Sequence, residues 1–263
     1  MNEKNKILPD FIKKLDFSNS AKLAKAIGDA TLLGNPLVLH KNIKLDTITN
    51  NLKLFANKLS KIQDFKIVRV PPEISNPTIE KLFYTTNEEL VNLFTNLLAR
   101  SSNSDECNFA HPNFVNIIAS ISPDEAKIVN HKKGTPIEII YPKIEYTETE
   151  NNENYFVEIN AKEYLSNIQS EIELIFPSNL KLYVKNLTSL GILKGFGARF
   201  PDRLRKTDNF KILKNKFNSE IEQFYADNKN ILDNSKLKAR KEIGYGYSEF
   251  TEFGVLFVKA CCN

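Results

Sequence analysis

The chain reads as a mainly α protein of the α+β class, with helical N-terminal and middle regions and a winged-helix-like C-terminal domain. Three observations predict this. Apolar residues recur at helical spacing through the first half, capping signals built on proline punctuate the middle, and β-favouring alternation begins only after residue 135. The expected regions are 1–66 (N-terminal helical), 67–134 (middle helical) and 135–263 (winged-helix-like).

In the first region, Leu45, Ile48, Leu52, Phe55 and Leu59 repeat at spacings of three and four, the signature of one buried helix face. Pro71 and Pro72 stop it, because proline lacks the donor N–H and biases its predecessor to extended geometry. Pro77 is expected to open the next short helix. In the middle region Thr86 with Glu89 fits a capping box ahead of a stripe of Leu90, Phe94, Leu97 and Leu98. Pro112 is placed as a first helical residue before Phe114, Ile117, Ile118 and Ile121, with His111 as its cap. Ser122, Pro123 and Glu125 form a second capping box.

The last region changes period. Ile137, Ile139 and Tyr141, then Tyr155 to Ile159, predict short strands. Ser178 is expected to cap a helix that buries Leu180, Tyr183, Val184, Leu187 and Leu190. Gly191 stands where a left-handed C-terminal cap is needed, followed by apolar Ile192. Leu213, Phe217, Ile221 and Phe224 predict one more helix. Lys238 to Thr251 reads as strands around Gly244 and Gly246, and Phe253 to Cys262 as an apolar end segment.

Composition excludes several classes. The chain has 263 residues, 41% hydrophobic and 26% charged, with a formal charge of +4, which by itself points to no nucleic-acid partner. Three cysteines, Cys107, Cys261 and Cys262, do not make a disulfide framework, so a reducing cytoplasm is expected. No apolar run reaches the length of a signal peptide or a membrane span; Ala30 to Leu39 is interrupted by Gly34, Asn35 and Pro36. The charge is segregated. Lys143 to Glu173 holds eight acidic and two basic residues, a balance of −6, and Lys194 to Lys216 holds eight basic and two acidic, a balance of +6.

No catalytic set is legible, so no enzyme activity, cofactor or metal is expected. His40, His111 and His131 lack acid or thiol partners near them in sequence, and no HExxH or paired CxxC spacing occurs. Asp124 with Glu125, and Glu88 with Glu89, are first-turn residues explained by capping and the helix dipole. Gly195-Phe196-Gly197 lacks the Gly-Lys-Ser/Thr ending of a phosphate loop. Cys261 and Cys262 read as buried hydrophobes.

An ordered set of local motifs carries a resemblance. These are Val70-Pro-Pro-Glu-Ile74, Asn87-Glu-Glu-Leu90, Asn96-Leu-Leu-Ala99, His111-Pro-Asn-Phe-Val115, Ser122-Pro-Asp-Glu-Ala126 and a terminal Phe257, Ala260, Cys261 run. Together with a helix ending at Asn186 to Ile192 and a turn at Glu249 to Gly254, the pattern resembles the bacterial abortive infection alpha proteins. The resemblance implies antiphage defence that halts or kills the infected cell, and it transfers no catalytic residue. Val70 stands where the family tends to have a third proline, and Thr95 where it tends to have alanine.

The functional candidate with a physical basis is a basic face. Lys181 and Lys185 lie on the expected recognition helix, and Lys194, Arg199, Arg203, Arg205 and Lys206 follow it. Lys238, Arg240 and Lys241 fall in the expected wing. Helix and wing are where winged helices meet phosphates, giving affinity with little base information. Phe196, Phe200, Tyr245 and Tyr247 would add stacking on single-stranded bases. The partner is accordingly nucleic acid through this face, or a protein or second copy of the chain. The rivals are a DNA-binding regulator or antitoxin-like protein, and a membrane-active toxin using Lys13, Lys14, Lys22 and Lys25 on amphipathic N-terminal helices.

Overall fold

A computed structural model of the chain describes residues 22, 23, 25–27, 45–150, 153–196 and 208–262. It divides into two compact units, one formed by 1–133 together with 252–263 and the other by 134–251. The final helix thus belongs with the N-terminal helices rather than with the expected 135–263 domain. The physical reason is its apolar face, which has its partners in the first unit.

That unit is built from α1 (Leu45–Leu59), α2 (Pro72–Leu82), α3 (Glu88–Ser101), α4 (Asn113–Ser120) and α5 (Pro123–Lys132). The predicted stripe of α1 is inside, with Ile48, Leu52, Phe55 and Leu59 all buried. Helix α2 starts at Pro72 and runs through Pro77, so Pro77 is interior and does not open a helix. An interior proline costs about 3 kcal/mol, while burying Ile74, Ile79 and Leu82 returns roughly 1.5–3 kcal/mol each. Packing wins. The cap of α3 is Asn87, one residue beyond the expected Thr86, and its side chain accepts from the Leu90 amide at 3.3 Å. The Ser122–Glu125 capping box on α5 is complete in both directions, at 3.2 and 2.6 Å. Helix α4 starts at Asn113 with Pro112 as its N-cap, one residue later than expected, and His111 Nδ1 accepts from the Asn113 amide at 3.1 Å from just outside it.

Helix α3 is buried almost all round, with Val91, Leu93, Phe94, Leu97 and Leu98 in the core. The closing helix (Glu252–Cys261) lies against it. Phe257 of that helix is fully buried and meets Phe114 edge-on with ring centroids 5.3 Å apart.

The second unit is a four-stranded antiparallel sheet in the order β2-β1-β4-β3, with β1 (Ile137–Glu150), β2 (Glu153–Asn160), β3 (Leu193–Phe196) and β4 (Arg240–Phe250). A short helix α6 (Ile168–Glu171) and a 3-10 turn at Pro177–Asn179 lead to α7 (Leu180–Ser189). The cap of α7 comes from that turn, not from the Ser178 hydroxyl: its N-cap is Asn179, which makes no side-chain bond. The predicted left-handed stop is present. Gly191 has φ 75°, its amide binds Thr188 O at 3.0 Å, and the Ile192 amide reaches back to Leu187 O at 2.9 Å. Between β3 and β4 come α8 (Asp208–Lys216), α9 (Asn218–Asp227) and α10 (Lys229–Leu232). The helix expected through Phe217 is broken there, since Phe217 has φ −104° and ψ 24°. The closing helix of the chain is α11.

The expected wing is not a separate ribbon. Strand β4 is interior, paired with β1 through Ile137↔Ser248 to Glu145↔Arg240 and with β3 through Leu193↔Phe250 to Phe196↔Tyr247. Alternation along β4 sends odd residues to one face, where Ile140, Ile144, Phe210, Leu213, Ile221 and Tyr225 form the core. Even residues reach the other face, where the Tyr141 ring lies directly on Gly244. A Cβ built at Gly244 would fall 2.3 Å from that ring, whereas one at Gly195 meets nothing within 4 Å. Gly244→Ala should therefore lower stability by about 1–3 kcal/mol in denaturant unfolding, and Gly195→Ala should stay within about 0.5 kcal/mol of the parent.

Candidate functional site

Of the ten predicted cations, Arg199, Arg203, Arg205 and Lys206 lie outside the described residues, as does Phe200. The structure places the other six in the sheet unit, and it does not gather them on one side. Arg240 and Lys241 are consecutive on a strand, so period-two geometry sends them to opposite faces. Arg240 donates from Nε and Nη2 to Glu145 Oε2 at 3.0 and 2.6 Å, its direct cross-strand partner. Lys241 sits 4.8 Å over the Tyr225 ring and 3.4 Å from Glu222, on the core face. Lys194 faces its register partner Glu249 at 3.5 Å. These pairs hold strands and helices together, which is the physical reason the wing expectation fails for them.

The helix cations differ from each other. Lys181 is drawn inward, 5.3 Å over the Tyr164 ring and 3.4 Å from Ala161 O. Lys185 is exposed on the rim of a groove of about 230 Å³ between α7 and the sheet. Tyr141 and Tyr164 wall that groove with ring centroids 5.6 Å apart, and Gly195 and Gly246 give it a floor of bare backbone. Lys238 is exposed at the entry to β4, in left-handed geometry with φ 47°. Tyr245 is not available for base stacking as expected, because its ring packs edge-on against Phe210 at 5.2 Å; Tyr247 packs against the same core.

Beyond Arg240, the same face carries a linked set of charges. Lys143 donates to Glu145 at 2.6 Å and to Glu158 at 2.7 Å. The bonds from Lys143 and then Arg240 hold the Glu145 carboxyl below the usual carboxylate range, and the Lys143 bond does the same for Glu158. Part of the acidic segment therefore serves the sheet itself.

The first unit resolves the remaining candidates. Cys261 and Cys262 are buried, and burial pushes their thiols up, Cys262 to about 12, so neither is a reactive thiolate at neutral pH. Lys22, offered as a membrane-facing cation, instead binds Asp64 at 2.7 Å and Ile62 O at 3.0 Å, and Lys25 binds Asp64 O at 2.9 Å. Lys13 and Lys14 lie outside the described residues. Among the described residues, no helix is long and apolar enough to cross a membrane, and no group of three or more His, Cys, Asp or Glu is placed to hold a metal ion.

One cluster escaped sequence reasoning. Lys58 of α1 reaches Asn92, Thr95 and Asn96 of α3, three polar residues at i, i+3 and i+4 in the otherwise apolar stretch Leu90 to Ala99. That spacing was the available signal, and it pointed to a shared polar face.

The sequence profile described as abortive infection alpha matches residues 44–261, most of the chain. The chain belongs to the abortive infection alpha family. No curated protein and no solved structure matches it.

For this family member, the Glu145 pairs give a pH test. The unfolded carboxyl protonates near 4.5, and the folded one only at lower pH. Stability from these pairs is thus present above about pH 4.5 and lost as pH falls through the folded value. Glu145→Gln should cost about 1 kcal/mol at neutral pH, and its gap to the parent in urea unfolding should shrink as pH falls below about 4.5.

Proposed function

We propose that the protein acts in abortive infection, inside an infected bacterial cell, by binding a macromolecular partner rather than by catalysis. Family membership over residues 44–261 carries the role. The partner best supported is nucleic acid, met through the helix-to-strand element α7–β3 used in the manner of a winged helix. Its support is the +6 segment from Lys194 to Lys216, eight basic residues against two acidic, which begins in β3 and ends in α8.

The phosphate contacts in this reading are narrower than the ten cations of the sequence. Arg240, Lys241 and Lys194 are engaged by Glu145, Glu222 and Glu249, and Lys181 by Tyr164. The contacts fall to Lys185, Lys238, Arg199, Arg203, Arg205 and Lys206. Phosphate contacts of this kind give salt-dependent, sequence-tolerant binding. A protein partner is the second reading, favoured by Ile175, Phe176 and Leu182, which are 56%, 59% and 61% exposed around the start of α7.

Two measurements test the proposal. Cells carrying the protein should resist phage plating, and the Arg203→Ala, Arg205→Ala, Lys206→Ala triple variant should lose that resistance at equal expression. In gel-shift titrations, about six phosphate contacts predict roughly a thousandfold loss of DNA affinity between 50 and 200 mM salt. Full protection by the triple variant, or no DNA or RNA binding at low salt, rejects the nucleic-acid reading. Absence of both protection and toxicity in the wild type rejects the role.

A further inference from the structure

Lys58 is a half-buried cation without a counter-charge. Its Nζ donates to Asn96 Oδ1 at 2.6 Å, Thr95 Oγ1 at 2.8 Å, Asn92 O at 3.1 Å and Asn92 Oδ1 at 3.3 Å. All four acceptors are neutral, and no carboxylate lies within ion-pair reach of it among the described residues. The seat is fixed from behind, since Asn96 Nδ2 donates to Cys261 O at 2.8 Å and Arg100 Nη2 to Cys262 O at 3.2 Å.

This ammonium opens onto a cleft of about 520 Å³ within the first unit, lined by Lys58, Lys61, Lys66, Arg100, Gln63 and Asn103 among others. Four cations line it against two carboxylates. Asp105 is held by Lys66 at 2.7 Å and Glu106 by Arg100 at 2.6 Å. Lys58 and Lys61 are left as two uncompensated positive charges, one turn apart on and just beyond α1. Burial, with Lys61 and Arg100 nearby, lowers Lys58 to about 8. A purely structural tie between α1 and α3 needs only a donor. A neutral amide would supply one without taking a charge out of water.

The cleft size falls within the roughly 300–1,000 Å³ of small-molecule sites. Lysines bind phosphate as point charges, and the side-chain amides of Gln63 and Asn103 offer a polar wall for the rest of a ligand. We propose that this cleft binds a phosphorylated small molecule of nucleotide size, with Lys58 and Lys61 taking the phosphates. The site is separate from the basic segment of the second unit and goes beyond the nucleic-acid reading.

Isothermal titration of the full chain at 50 mM salt, with ATP, inorganic triphosphate, citrate and adenosine, tests this. ATP and triphosphate should bind, and citrate and adenosine should bind at least tenfold more weakly. Lys61→Gln changes only an exposed side chain and should weaken triphosphate at least tenfold, as should Lys58→Met. The Arg203→Ala, Arg205→Ala, Lys206→Ala variant should leave triphosphate affinity unchanged, which separates this site from the nucleic-acid proposal. As a second readout, triphosphate should protect Lys58 from amine acylation at pH 8 in mass-spectrometric mapping. Absence of triphosphate binding, equal affinity in Lys61→Gln, or citrate binding as tight as triphosphate overturns the proposal.

Discussion

The first unit depends on a helix that has almost no solvent face. Helix α3 buries Val91, Leu93, Phe94, Leu97 and Leu98, and with them the polar residues Thr95, Asn96 and Ser101. Buried polar groups must be hydrogen-bonded or they cost several times what they contribute. Each is met. Thr95 Oγ1 donates to Val91 O, Ser101 Oγ to Leu97 O, and Asn96 spans from the Lys58 ammonium to the Cys261 carbonyl. That last bond spans 165 residues of sequence. A helix enclosed in this way needs the terminal segment as part of its wall, so the first unit is completed only by residues 252–263. The second unit is an insertion between the two halves of its host.

Within the second unit, strand alternation decides which charges remain for a partner. Interior strand β4 spends Arg240 on one face and Lys241 on the other, each with a carboxylate in reach. The acidic segment is neutralised in part by Lys143 within it and by Arg240 of β4, through Glu145 and Glu158. A pair with one solvated partner, as Arg240 is at 65% exposure, contributes little, about 0–1 kcal/mol. The pair between β1 and β4 does more for register than for stability, because slipping β4 by one residue would turn Arg240 to the face opposite Glu145.

What could be read from the sequence was local. The Ser122–Glu125 box, the Gly191 stop and the α1 stripe depend on residues within a turn or two of one another, and each stands as expected. Asn87 displaced Thr86 as a cap by one residue, a distinction that spacing alone does not make. The role of β4 was not legible, since its partner β1 lies about a hundred residues earlier and nothing in Lys238 to Ser248 announces a strand paired on both sides. The same limit hid the Lys58 seat. Its acceptors stand on a second helix, and polar residues at i, i+3 and i+4 reveal themselves as a binding face only once a cation is seen to reach them.

The central claim is that two cooperative units share one chain, the first closed by its last helix around α3. Native-state hydrogen exchange measures this directly. Amides of Val91 to Ser101 and of Phe257 to Cys262 should fall in one common protection class, separate from that of β1 and β4. Exchange of the Phe257 to Cys262 amides together with β4, independent of α3, would contradict the account.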